Sequence, residues 1–128
     1  MKILLIEDDP DDVELLQDAL ARHGVLYQME VIKDGNAAIK YFKTSEVYPE
    51  IIILDINLPK VHGRDVIVEI KSGSLFQNIP LLILTTSSSK HDMEHSYKYG
   101  ADKYLLKPVT LEQIKETVEA IVALANRN

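Results

Sequence analysis

Short apolar runs alternate along this chain with segments in which apolar residues recur every three or four positions. Ile3-Leu4-Leu5-Ile6, Ile51-Ile52-Ile53-Leu54, Leu81-Leu82-Ile83-Leu84 and Tyr104-Leu105-Leu106 read as strands buried on both faces. The pattern predicts strands over 2–6, 26–32, 50–55, 80–85 and 101–106, with helices over 10–23, 35–44, 64–72, 90–99 and 111–126. This alternation is the signature of βαβ units and predicts an α/β fold, a doubly wound parallel sheet of five strands with helices on both faces. Punctuation of the first helix supports the reading. Asp9 suits the N-cap, Pro10 the first helical position, Asp11 and Asp12 the positive end of the dipole, and Gly24 the stop. Val13, Leu16, Ala19 and Leu20 form its inward stripe, and Leu111, Ile114, Val118, Ile121 and Val122 form that of the last helix. Asn126 to Asn128 are expected to fray.

Length and composition narrow the class. With 128 residues and no linker or repeat, the chain is expected to form one domain over 1–128, burying roughly two-thirds of the surface its unfolded form exposes. It has no cysteine, so disulfides and thiolate metal sites are excluded. A net charge of -6 without a cluster of Lys and Arg argues against direct nucleic-acid binding. The apolar runs fall far short of a membrane span, and Met1-Lys2 leads straight into a strand, so no membrane and no export are expected. The expected location is the cytoplasm.

Charge placement carries the chemistry. Glu7 and Asp8 follow the first strand, Asp55 the third, and Lys107 the fifth. The carboxyl ends of the strands in an open parallel sheet form the edge where ligands bind. Three carboxylates gathered there repel one another and call for a cation, and Mg²⁺, with its octahedral oxygen ligands and retained waters, suits them. With that charge neutralised, one carboxylate can attack a phosphoryl donor and become an acyl phosphate. Asp55, at the end of the central strand, is the best nucleophile, Lys107 the fixed positive charge for the phosphoryl oxygens, and Thr85, ending the fourth strand, a hydroxyl donor. Asp9, Asp11 and Asp12 are accounted for as cap and dipole partners. A calcium loop is excluded because no register of Glu7 to Asp12 supplies both its glycine and its terminal glutamate.

The segments Ile3 to Asp8, Leu54-Asp55-Ile56-Asn57-Leu58-Pro59 with Gly63, Leu84-Thr85-Thr86 and Gly100 to Pro108 are individually common. In this order and spacing the whole chain resembles a receiver domain of two-component response regulators, and Glu7 to Leu16 and Leu84 to Ser88 are similar to single-domain receivers paired with phytochrome-like kinases. The resemblance implies a CheY-like, flavodoxin-like sheet of order 2-1-3-4-5. It implies that Asp55 accepts phosphate from a sensor histidine kinase or phosphotransfer protein, that Asp8 binds magnesium directly and Glu7 through water, and that the backbone carbonyl of Asn57 completes the ligands. It further implies a cis bond before Pro108, and a switch in which Thr85 moves inward with Tyr104, remodelling the α4-β5-α5 face for an effector protein. Tyr97 and Tyr99 could broaden that face, and a homodimer is compatible with it. The chain departs from the family pattern at Glu7, longer than the more frequent aspartate, and at Thr86, which narrows access to the phosphoryl site. Two charge-assisted hydrogen bonds at roughly 1.5–3 kcal/mol each compare with the ~5.5 kcal/mol needed to invert a 1:99 equilibrium.

Two other readings compete with this one. His91-Asp92-Met93-Glu94-His95 spells a zinc-protease motif, but only a short strand and one helix follow it, and two histidines on a solvated helix face explain it better. His23 and His62 read as isolated surface residues. The stronger alternative is a phosphatase or phosphotransferase that turns over a small substrate through an aspartyl phosphate. Such enzymes place a second acid two residues after the nucleophile, where this chain has Asn57, and an amide cannot protonate a leaving group. The chain is therefore expected to catalyse only its own phosphorylation and dephosphorylation.

Overall fold

The computed structural model describes residues 1–72 and 75–127. Five strands, β1 (Lys2–Ile6), β2 (Gln28–Ile32), β3 (Ile51–Leu54), β4 (Leu81–Thr85) and β5 (Lys103–Leu106), alternate with α1 (Pro10–Arg22), α2 (Gly35–Thr44), α3 (Gly63–Lys71), α4 (Lys90–Lys98) and α5 (Leu111–Ala125). All strand pairs are parallel and the order is β2-β1-β3-β4-β5, as expected. The sheet is pleated, so alternate residues of one strand enter different cores. Ile3, Leu5, Ile51 and Ile53 pack with Leu16 and Leu20 of α1 and Val118 and Ile121 of α5. Leu4, Ile6, Ile52 and Leu54 pack on the other face with Phe42 of α2 and Ile67 and Ile70 of α3.

Helix starts are set by side-chain caps on otherwise orphan amides. Asp9 accepts the N–H of Asp11, Asp34 that of Ala37, Ser89 that of Asp92, and Thr110 forms a capping box with Gln113. His62, expected to be an isolated surface residue, is the cap of α3: its Nδ1 accepts the N–H of Arg64 at 3.1 Å. A further 3-10 turn at Leu75–Asn78 buries Phe76 against Phe42, Tyr41 and Tyr48.

Three other expectations change. Leu111 is in phase with the inward stripe of α5 but 84% exposed, because it stands at the first position of the helix, beyond the reach of the sheet, and Thr117 and Ala125 take up burial further along. Asn126 and Arg127, expected to fray, keep main-chain hydrogen bonds to Val122 O and Leu124 O, each at 3.1 Å, and Asn128 lies outside the described residues. The peptide before Pro108 is trans, the isomer favoured by about 0.5–1 kcal/mol at an X–Pro bond.

Candidate functional site

Main-chain bonds carry the sheet one residue past its strand ends and so aim the charged side chains. Glu7 N–H donates to Ile32 O at 2.9 Å, Asp55 N–H to Ile6 O at 3.0 Å, and Lys107 N–H to Thr85 O at 2.8 Å. Backbones held this way leave little freedom to the side chains that follow. Glu7, Asp8 and Asp55 each present a carboxylate oxygen within 4.8 Å of the others, and Glu7 and Asp55 are buried while Asp8 is exposed. This is the one cluster of three or more acidic or histidine ligands among the described residues, and it does not include His91 or His95.

Lys107 meets Glu7 and Asp55 as the sequence predicts, and its third carboxylate partner is Asp12 rather than Asp8. Its Nζ lies 2.7 Å from Glu7 Oε1, 2.8 Å from Asp55 Oδ2 and 2.6 Å from Asp12 Oδ2. The remaining Glu7 oxygen accepts the N–H of Asp9 at 3.2 Å, and Asp55 Oδ1 accepts the N–H of Asn57 at 3.0 Å. Four carboxylates against one ammonium leave a surplus of negative charge, and burial acts on it. Desolvation pushes the Glu7 carboxyl up to about 7, with Asp55 adding to the rise and the hydrogen bond from Lys107 opposing it. Burial works against the charge of Lys107, but hydrogen bonds to Asp12, Asp55 and Glu7 outweigh it and hold the amine above the ordinary lysine value. A site of this kind, all oxygen donors with too few cations, fits a hard divalent ion.

Thr85 is fully buried, and its hydroxyl accepts from the Asn57 side-chain amide and from the Ser87 N–H, each at 3.3 Å. It therefore reaches Asp55 through Asn57 rather than directly. Asn57, expected to serve through its backbone carbonyl, also acts through its side chain. Tyr104 already lies inward, 6% exposed, with its hydroxyl donated to Ser87 O at 2.8 Å. Ser87, which sequence reasoning passed over, also donates its hydroxyl to Asp92 Oδ2 at 2.6 Å, tying the loop after β4 to α4. Tyr97 is 44% exposed, yet its hydroxyl is engaged, accepting the N–H of Tyr104 at 2.9 Å. Tyr99 packs against the ring of His95 at 4.4 Å.

Asp12 is a second residue that sequence reasoning missed. Its place in the first turn of α1 gave it a sufficient structural reason, and only the tertiary fold turns it toward Lys107.

Residues 3–119 match the response regulator receiver domain. Over 123 residues the chain is 37% identical to the probable methanogenesis regulatory protein FilR2 of Methanothrix harundinacea, covering 93% of this chain and 79% of that protein. Among solved structures it is similar to the phosphorylated cyanobacterial phytochrome response regulator RcpA, at 38% identity and a TM-score of 0.82, covering 94% of this chain and 89% of the other. It is also similar to the Mn²⁺-bound form of the response regulator Rcp1, at 33% identity and a TM-score of 0.84, covering 99% and 96%. No helix among the described residues is long and apolar enough to cross a membrane. The match runs from Ile3 in β1 into α5 and takes in every residue of this rim, and the chain accordingly belongs to the response regulator receiver domain family, a family of signalling proteins.

Proposed function

We propose that the domain formed by this chain receives a phosphoryl group on Asp55 from a phosphohistidine of a sensor kinase or phosphotransfer protein in the cytoplasm, and that the modified form binds an effector protein. An Asp55 oxygen attacks phosphorus, a new O–P bond forms, and the P–N bond to the imidazole breaks, its electron pair leaving with the ring nitrogen. Hydrolysis of the acyl phosphate restores the carboxylate. Lys107 faces the oxygens on which charge collects during transfer, and a preformed positive charge there lowers the barrier. The observation that carries the reading is that Asp55, 4% exposed at the end of the central strand, has one oxygen on Lys107 at 2.8 Å and the other on the Asn57 N–H.

Glu7, Asp8 and Asp55 are the side chains that would hold a magnesium ion, with the Asn57 carbonyl beside them. When bound, it supplies charge neutralisation for the carboxylates and the phosphoryl oxygens. Receivers in other chains take such ions, as the Mn²⁺-bound form of Rcp1 does. The Asn57–Thr85–Ser87–Tyr104 series of hydrogen bonds supports a route by which a change at Asp55 would reach α4 and β5. Leu106, Val109 and Leu111, at 50%, 85% and 84% exposed, offer apolar contact area beside the rim and suit a protein partner.

The test is intact-mass measurement with acetyl phosphate and Mg²⁺. A single stable phosphoryl group on the wild type and none on Asp55→Asn is the expected result. Labelling that survives loss of Asp55 would overturn the reading, as would catalytic release of phosphate over many turnovers.

A further inference from the structure

The ammonium of Lys107 has three protons and three carboxylate partners, and the third has no part in the reading above. Glu7 and Asp55 belong to the acidic cluster, whereas Asp12, which makes the shortest of the three contacts, does not. Asp12 is the third residue of α1, where an acidic side chain commonly reaches back to the N–H of the cap. Here that N–H, on Asp9, goes to Glu7 Oε2 instead. Asp12 is freed from capping, and its carboxylate crosses to a residue 95 positions away. A favourable helix dipole accounts for an acid at this position and says nothing about its direction.

Taking Asp55 as the phosphoacceptor, we propose that Asp12 is a positioning residue, the anchor that keeps the Lys107 ammonium facing the phosphoryl group when the oxygens of Glu7 and Asp55 are engaged elsewhere. Both of those carboxylates have competing duties: Asp55 carries the new O–P bond, and Glu7 is among the residues that would hold the cation. Asp12 has neither. Among the described residues its one ion-pair partner is Lys107, and it sits on a helix whose first turn is fixed by Asp9 and Pro10. A lysine stem also needs such an anchor at this place. Beside it lies a small cavity walled by Leu16, Leu84, Pro108 and Ile114, so the stem is not packed tightly on that side.

Charge and position make opposite demands. Removing Asp12 deletes a negative charge next to an incoming phosphoryl group, which by itself would speed transfer. Loss of the anchor would slow it. The rate therefore decides between a bystander acid and a positioning residue.

The experiment compares wild type, Asp12→Ala, Asp12→Asn, Asp12→Glu and Asp55→Asn by intact-mass time courses with acetyl phosphate at saturating Mg²⁺. In Asp12→Ala and Asp12→Asn the maximal labelling rate is expected to fall by roughly tenfold or more, while Mg²⁺ affinity, titrated calorimetrically without phosphodonor, changes far less. Asp12→Glu should recover part of the rate. A second readout is independent of turnover: in protein loaded with Mg²⁺ and beryllofluoride, the Lys107 ammonium should give a slowly exchanging nitrogen resonance in the wild type that Asp12→Ala loses. A labelling rate in Asp12→Ala equal to or above the wild-type rate overturns the proposal, and so does a Lys107 resonance that persists without Asp12. Equal labelling of Asp55→Asn and wild type would instead bring down the phosphoacceptor reading itself, and this proposal with it.

Discussion

The phenol of Tyr97 on α4 accepts the main-chain N–H of Tyr104 on β5 at 2.9 Å. β5 is an edge of the sheet, and an edge N–H without a partner is open to water or to another strand. The same Tyr104 donates its own hydroxyl to Ser87 O, so α4, β5 and the loop after β4 are fastened at one residue. Tyr97→Phe removes the acceptor while keeping the ring. It should cost about 1 kcal/mol and speed amide exchange at Tyr104 selectively. Protection at Tyr104 equal to that of the wild type would show that the bond contributes nothing.

Gly63 opens α3 and donates its N–H to Ile56 O at 3.0 Å. A Cβ there would fall 2.3 Å from Ile56 Cα and 2.8 Å from Ile56 O, and main chain cannot yield as a side-chain tip can. Gly63→Ala is expected to destabilise by about 3 kcal/mol, a fall in Tm on the order of 10 °C. Ile56 lies between Asp55 and Asn57, so phosphoryl uptake should fall as well. A thermal melt and a labelling assay on one preparation check both, and a variant that melts with the wild type refutes the steric argument.

Glu7 gives the pH dependence a definite sign. Its folded value of about 7 stands above the ordinary 4.5 because burial disfavours the charge, so between those limits the folded state holds more protons than the unfolded one. Stability from this group is fully present below about 4.5 and is lost as pH rises through 7. In EDTA, Tm should decline from pH 5 to pH 8, and Glu7→Gln should flatten the decline. Mg²⁺ competes with that proton, so its stabilising effect should be larger at pH 8 than at pH 5.5. The opposite ordering in calorimetric scans would refute the assignment to Glu7.

Lys60, in the loop between β3 and α3, has φ 71, a left-handed backbone that a residue with Cβ adopts at a cost. Its pairing with Asp34, at 3.6 Å with the lysine side chain 62% exposed, does little to offset this. Lys60→Gly removes the strain but adds unfolded-state freedom, so a net gain of about 0.5 kcal/mol is expected. A rise in the urea midpoint with unchanged slope would show it, and a lower midpoint would mean the ion pair outweighs the strain.

Much of the fold was legible because its signals are local. An all-apolar run of four or five residues marks a strand covered on both sides, an Asp before a Pro marks a helix start, and a charge directly after a strand must lie on the carboxyl rim of a parallel sheet. Those rules found β1, β3 and β4, the start of α1, and the rim positions of Glu7, Asp8, Asp55 and Lys107; they misjudged β5, read as buried on both faces, because it is an edge strand whose Leu106 is 50% exposed. Leu111 was misjudged because periodicity gives a residue's phase around a helix and not the depth at which the sheet meets it. His62 was misjudged because an imidazole can cap a helix only when its ring nitrogen is turned back on the next turn, which no sequence pattern records.

The chain alone determined which residues line the rim, since strand ends and the charges that follow them are properties of neighbouring positions. Only the tertiary structure decided how those charges are shared. Three carboxylates drawn from residues 7, 12 and 55 surround one ammonium at residue 107, and the inclusion of Asp12 depends on how α1 is laid against the sheet. An ion pair forms or fails over a few ångströms, and that distance between residues remote in sequence is set by packing rather than by spacing along the chain.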